Sequence, residues 1–215
     1  MKFKFLFLLF SVFFIRHPLS ADVDIDSLKQ SISQYSDDTT GVRKIITLLQ
    51  KYRETDINAA IICAEVAYQK SLDINNEKIH AEAAFFLGTV YLDMSNFVKS
   101  TQYITEALQL ADKNDYKDIA IKCTNGLGNV YAMQNQRELA IELYKKSLEL
   151  CKIAKNKSTP AVILGNIGNL YYQESGKDQK NLDSALTYYL KALEVHLERK
   201  DTNHIMRSYN SLGLL

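Results

Sequence analysis

The chain has 215 residues, 47% hydrophobic and 24% charged, which is enough apolar side chain to bury a core and too much for a disordered polymer. Only eight Gly and two Pro are present, too little turn chemistry for the many tight hairpins of a β-sandwich or barrel. Its 26 basic side chains meet 25 acidic ones, so no basic field exists to hold a phosphate backbone, and nucleic acid is not an expected partner of this segment.

The first element is an address. Lys2 and Lys4 precede an apolar run from Phe5 to Ile15, and Arg16, His17, Pro18 and the small pair Ser20-Ala21 follow it. This is the layout of a secretory signal peptide over residues 1–21. As a helix the run reaches about 16 Å, roughly half of a ~30 Å hydrocarbon core, so a cleaved leader is favoured over a permanent anchor. The expected location is therefore periplasmic or secreted, or membrane-tethered if a longer parent protein carries the tether. Cleavage removes three basic side chains and no acid, leaving 23 basic against 25 acidic and a net charge of −2. No Cys lies near the cleavage site, so a lipid anchor is not indicated.

An acidic lead-in helix or linker is expected over 22–39, followed by helices throughout. Cys63, Cys123 and Cys151 have no metal-ligand spacing and read as small apolar core residues.

From residue 78 the chain repeats itself. Leu87-Gly88-Thr89-Val90-Tyr91 returns as Leu127-Gly128-Asn129-Val130-Tyr131 and as Ile167-Gly168-Asn169-Leu170-Tyr171, a step of 40 each time. A second set of columns agrees: Ala64, Ser100, Ala140 and Ala185 are followed four residues later by Tyr68, Ile104, Tyr144 and Tyr189. Three residues further on come Ser71, Ala107, Ser147 and Ala192. Small, large and small at spacings of four and three mark one face of a helix.

Each unit therefore predicts two antiparallel helices: an A helix carrying the Gly and Tyr, and a B helix carrying the small-large-small stripe. The units fall at 40–77 (degenerate, without the Gly-aromatic pair), 78–116, 117–157 and 158–202, with the first helix of an incomplete unit at 203–215. Between Tyr171 and Ala185 lie five more residues than between Tyr131 and Ala140, which should widen one turn without breaking the stack. Pro160 suits the first turn of an A helix, with Thr159 as its cap.

Six Gly (88, 126, 128, 165, 168 and 213) fall inside predicted A helices, where each costs about 1 kcal/mol relative to Ala, so close approach of a neighbouring helix is expected to offset the cost. The packing residues of the repeat are then Gly88, Tyr91, Gly128, Tyr131, Gly168, Tyr171, Ala107, Ala140, Ala185 and Ala192. The Tyr column is expected to fill the space left beside each Gly, with its hydroxyl at the solvated edge.

These residues resemble the tetratricopeptide repeat family, whose signature is Leu-Gly and an aromatic in helix A, then a small, an aromatic and a small residue in helix B. The resemblance covers about residues 40–215, although the step of 40 exceeds the family's usual 34. It implies an all-α, right-handed superhelical solenoid of antiparallel helix pairs. The leader and the near-40-residue units look like the extracytoplasmic sensory region of bacterial signalling proteins, in which a histidine kinase or DNA-binding effector domain commonly follows. A sensory ectodomain fragment is therefore the alternative to a free scaffold.

A solenoid of helix pairs curves and leaves its A helices along a concave groove. In the family that groove binds peptide segments, so a protein or peptide segment is the expected partner. The columns project Glu82, Phe85, Thr89 and Leu92 into it, then Lys122, Asn125, Asn129 and Met133, then Val162, Asn169, Tyr172 and Gln173, and finally Arg207, Asn210 and Leu214. Of these, Lys122, Asn125, Asn129, Asn169, Tyr172, Arg207 and Asn210 are the candidate contacts. The Asn amides would pair with an extended main chain and the two cations would select an acidic group. The alternative for Asn129 and Asn169 is that they bond across to adjacent helices and hold the stack.

Catalysis has little support. His80, His196 and His204 form no ligand pair and read as solvated surface positions, and no nucleophile elbow or phosphate-binding Gly loop occurs, so no enzyme activity, metal or cofactor is expected. Leu212, Leu214 and Leu215 finish half a unit without a polar cap. A fragment, or self-association through that uncapped end, is expected.

Overall fold

The computed structural model describes residues 23–174, 176, 178–200, 205 and 213. The expected leader, His204, and Arg207, Asn210, Leu212, Leu214 and Leu215 lie outside the described residues. Within them the chain is all-α, with helices α1 (Ile25–Ser33), α2 (Thr39–Tyr52), α3 (Ile57–Asp73), α4 (Glu77–Asp93), α5 (Phe97–Lys113), α6 (Lys117–Met133), α7 (Arg137–Ile153), α8 (Pro160–Gln173) and α9 (Gln179–Glu198).

Local chemistry starts and stops these helices. Asp24, Asp38, Asp56, Asn76, Asn96 and Asp178 each accept backbone N–H bonds in the first turn of the helix that follows, satisfying donors that have no intrahelical partner. The stops after α4, α5, α6 and α7 are made by residues in the left-handed region: Ser95, Asp115, Asn135 and Lys155 have φ of 58°, 55°, 57° and 52°. After α4 the Asn96 N–H reaches the Tyr91 carbonyl at 2.8 Å and the Ser95 N–H that of Leu92 at 2.8 Å, the crossed pair of a Schellman cap.

Consecutive helices pack as antiparallel neighbours, α2 on α3, α4 on α5, α6 on α7 and α8 on α9, and α2, α4, α6 and α8 also touch one another in sequence. The result is a solenoid. Its core falls into three successive clusters, around Ile45 and Ile79, around Ile104, and around Ile121, Ile163 and Ile167, all essentially inaccessible, and each such side chain contributes about 1.5–3 kcal/mol by leaving water. Ala107, Ala140, Ala185 and Ala192 are buried between the helices, where small side chains permit close approach. The three Cys are free and buried, and burial pushes their thiols up, to about 11 for Cys63, 12 for Cys123 and 11 for Cys151.

Three local expectations need correction. The space beside each repeated Gly is filled from helix B and not by the A-helix Tyr: a Cβ at Gly88 would lie 2.6 Å from Ile104, at Gly128 2.5 Å from the Tyr144 ring, and at Gly168 2.7 Å from the Tyr189 ring. Tyr91 and Tyr171 instead stack on Tyr103 and Tyr188 of the partner helices, with ring centroids 5.6 Å apart in both pairs, while Tyr131 is half-buried. Gly165 and Gly213 have nothing within 4 Å and are not packing notches. Thr159 does not cap α8, because its hydroxyl donates to Asn156 Oδ1, which also accepts the Ser158 and Thr159 N–H groups.

Candidate functional site: a concave polar groove

The A helices α4, α6 and α8 line one cavity of about 1160 Å³. Its wall changes character along the stack: Phe85, Thr89 and Leu92 from α4, then Asn125, Asn129 and Met133 from α6, then Asn166, Asn169 and Gln173 from α8. Period explains the placement, since residues four apart on an α-helix share a face and a 40-residue step returns that face to the same side of the solenoid.

The Asn side chains are half-committed. Tyr144 donates its hydroxyl to Asn129 Oδ1 at 2.7 Å, and Tyr189 does the same to Asn169 Oδ1 at 2.7 Å. Burial pushes both phenols up, so both stay protonated and serve as donors. Asn166 Nδ2 bridges α8 to α6, donating to Asn125 Oδ1 and Asn129 Oδ1 at 3.2 Å each. The amide N–H groups of Asn125, Asn129 and Asn169 have no hydrogen-bond partner among the described residues. The groove wall therefore carries fixed amides whose oxygens orient them and whose donors are uncommitted.

The cavity lining also includes a residue pair that the column pattern did not select. The Arg53 guanidinium, just beyond α2, grips Asp93 at the end of α4 with bonds of 2.6 and 3.0 Å, so these two charges neutralise each other. Asn166 also escaped the sequence reading, because its column holds Phe86 and Gly126 in the two preceding units. Lys122 is exposed and does not line the cavity, and neither does the half-buried Tyr172, nor Glu82 and Val162. Glu82 instead pairs with Arg43 at 3.4 Å. Acid selection by Lys122 thus has no geometric support.

The histidines also depart from expectation. His196 is buried, and His80 is partly buried with Nε2 2.8 Å from Glu106 Oε1. Glu106 further accepts the Tyr68 hydroxyl at 3.0 Å, and desolvation first, then this carboxylate, pushes the Tyr68 phenol up to about 12. The trio ties α3, α4 and α5 together. Among the described residues no three His, Cys, Asp or Glu gather as a metal-holding group.

A stack of helix pairs with a shared inner wall defines a helical-repeat scaffold. Residues 79–153 match the model of the tetratricopeptide repeat family. No curated protein sequence matches the chain. Among solved structures, BtubC from P. vanneervenii superposes with a TM-score of 0.67 at 17% identity, over 90% of this chain and 83% of that one. Aspartyl phosphate phosphatase F from Bacillus subtilis gives 0.70 at 15% identity, over 86% and 48%, and a Rap protein complexed with competence and sporulation factor gives 0.69 at 17%, over 85% and 50%. The chain thus spans about half the length of these last two proteins. At such identities the likeness establishes the fold.

Proposed function

We propose that the chain is a non-enzymatic scaffold that holds an extended peptide or protein segment along its concave groove. The observation that carries this reading is the pair of Asn129 and Asn169: equivalent positions on successive A helices, each oriented by a tyrosine and each with an uncommitted amide donor. An extended main chain laid across α6 and α8 would present carbonyls to this wall at every second residue, within reach of both donors. The neutralised Arg53–Asp93 pair and the amide-rich wall favour main-chain recognition over charge recognition. A Rap protein that shares the fold is complexed with competence and sporulation factor, which supports a binding role for this chain.

The test exploits Asn→Asp, which keeps the acceptor for the tyrosine and removes the donor. Peptides selected from a random phage library by the native chain should lose binding at least tenfold to the Asn129→Asp/Asn169→Asp chain, with helicity unchanged. Equal binding by both chains, or no peptide selected at all, would count against the groove.

The leader-like residues 1–21 support export as a second element of the proposal. Expression in a bacterial host should yield a periplasmic product shortened at its N-terminus; an unshortened cytoplasmic product is the contrary result.

A further inference from the structure

A second cavity of about 670 Å³ opens on the other side of the stack, between α7, the 154–159 turn, the start of α8 and the middle of α9. It lies where the solenoid is least tightly closed, since α7 packs more loosely on α8 than α5 does on α6. Its floor is apolar: Leu148, Cys151, Pro160, Leu164 and the Tyr188 ring. Its rim is basic, with Lys145, Lys152, Lys155, Lys157 and Lys191 against a single acid, Glu149. Lys152 is partly neutralised by Glu149 at 2.7 Å, and the Lys191 ammonium sits 5.5 Å from the Tyr188 ring centroid. Lys145, Lys155 and Lys157 have no ion-pair partner among the described residues.

The repeat architecture does not require this charge. The same positions one unit earlier hold Thr105, Asp112, Asp115, Lys117 and Lys146, two acids against two bases, with Lys117 already paired to Asp115 at 3.1 Å. Unpaired cations over an apolar floor thus come from the residues of the later unit and not from the repeat itself.

We infer that this cleft binds an amphipathic anion: a carboxylate, sulfonate or phosphate carried on an aromatic or hydrocarbon body of small-molecule size. The volume falls within the ~300–1000 Å³ of small-ligand sites. Lys supplies point charges suited to a compact anionic head, and the Leu148, Leu164 and Tyr188 surfaces take the body out of water. This site is separate from the groove and does not depend on the peptide reading.

The probe is 1-anilinonaphthalene-8-sulfonate, titrated into the full chain by fluorescence. One molecule should bind per chain, and raising salt from about 50 to about 500 mM should weaken it at least threefold through screening. The Lys145→Glu/Lys155→Glu/Lys157→Glu chain should bind at least tenfold more weakly, whereas Lys117→Glu/Lys146→Glu, at equivalent positions one unit earlier and outside the cleft, should bind as the native chain does. N-phenyl-1-naphthylamine, with a similar ring body and no sulfonate, should also bind at least tenfold more weakly. Decanoate or octyl phosphate should displace the dye, and the better competitor indicates the preferred head group. The inference is overturned if the triple variant binds the dye unchanged, if the neutral dye binds as well as the sulfonate, or if neither amphiphile displaces it. All five substituted lysines are exposed, so circular dichroism should show the native helix content in every variant.

Discussion

Tyr144 does two jobs for Asn129: its ring occupies the notch left by Gly128 on the helix that carries Asn129, and its hydroxyl holds the Asn129 carbonyl at 2.7 Å. Tyr189 repeats the arrangement with Gly168 and Asn169. Packing between the two helices of a unit and the aim of the groove amide are thus set by one side chain. Tyr144→Phe keeps the ring and deletes the orienting bond. It should cost about 0.5–1.5 kcal/mol in urea unfolding and weaken groove ligands as well, whereas a purely structural hydroxyl would leave ligand affinity unchanged.

The glycines separate into two kinds, and alanine distinguishes them. Gly128→Ala drives a methyl into the Tyr144 ring and should destabilise by about 1–3 kcal/mol. Gly165→Ala meets nothing within 4 Å on an established helix and should stabilise by up to about 1 kcal/mol. Thermal unfolding of the two variants should shift in opposite directions.

Ser95 closes α4 at φ 58°, where an L side chain is strained and glycine is not. Ser95→Gly should gain about 0.5–1 kcal/mol in chemical denaturation, provided the Asn96–Tyr91 cap bond is kept.

The buried thiols make a pH prediction. Each folded-state value lies above the ordinary thiol value, so below about pH 8 the folded and unfolded chains carry the same protons there and stability is flat. Above pH 9 the unfolded chain releases protons that the folded chain retains until about 11–12, and stability should fall steadily across that window. Unfolding curves from pH 7 to 10.5 check the slope. Replacing all three Cys with Ala should flatten it in part, leaving the contribution of Tyr68 and the other raised phenols.

The stack was legible in sequence because its period is carried by backbone-proximal chemistry: Gly88, Gly128 and Gly168, and the small-large-small stripes, recur where helices touch. Much of the groove followed from the same period, as with Asn125, Asn129 and Asn169. Features that arise between units did not. Asn166 bridges to α6 from a column that elsewhere holds Phe86 and Gly126, and Arg53 reaches Asp93 across 40 residues, so neither shows a repeat to read. The burial of His196 was missed because helix periodicity gives a direction around one rod and says nothing of what lies beyond it. The basic cleft depends on Lys145, Lys152 and Lys155 standing where the preceding unit has Thr105, Asp112 and Asp115, a difference that acquires meaning only once α7, α8 and α9 are set side by side.

The most direct measurement is a crystal structure of the chain with a peptide selected by its native form. Main-chain carbonyls of an extended peptide should lie about 3 Å from Asn129 Nδ2 and Asn169 Nδ2, with the Tyr144 and Tyr189 bonds intact. A peptide seated on the outer face of α5, α7 or α9, with both amides left to solvent, would contradict the account.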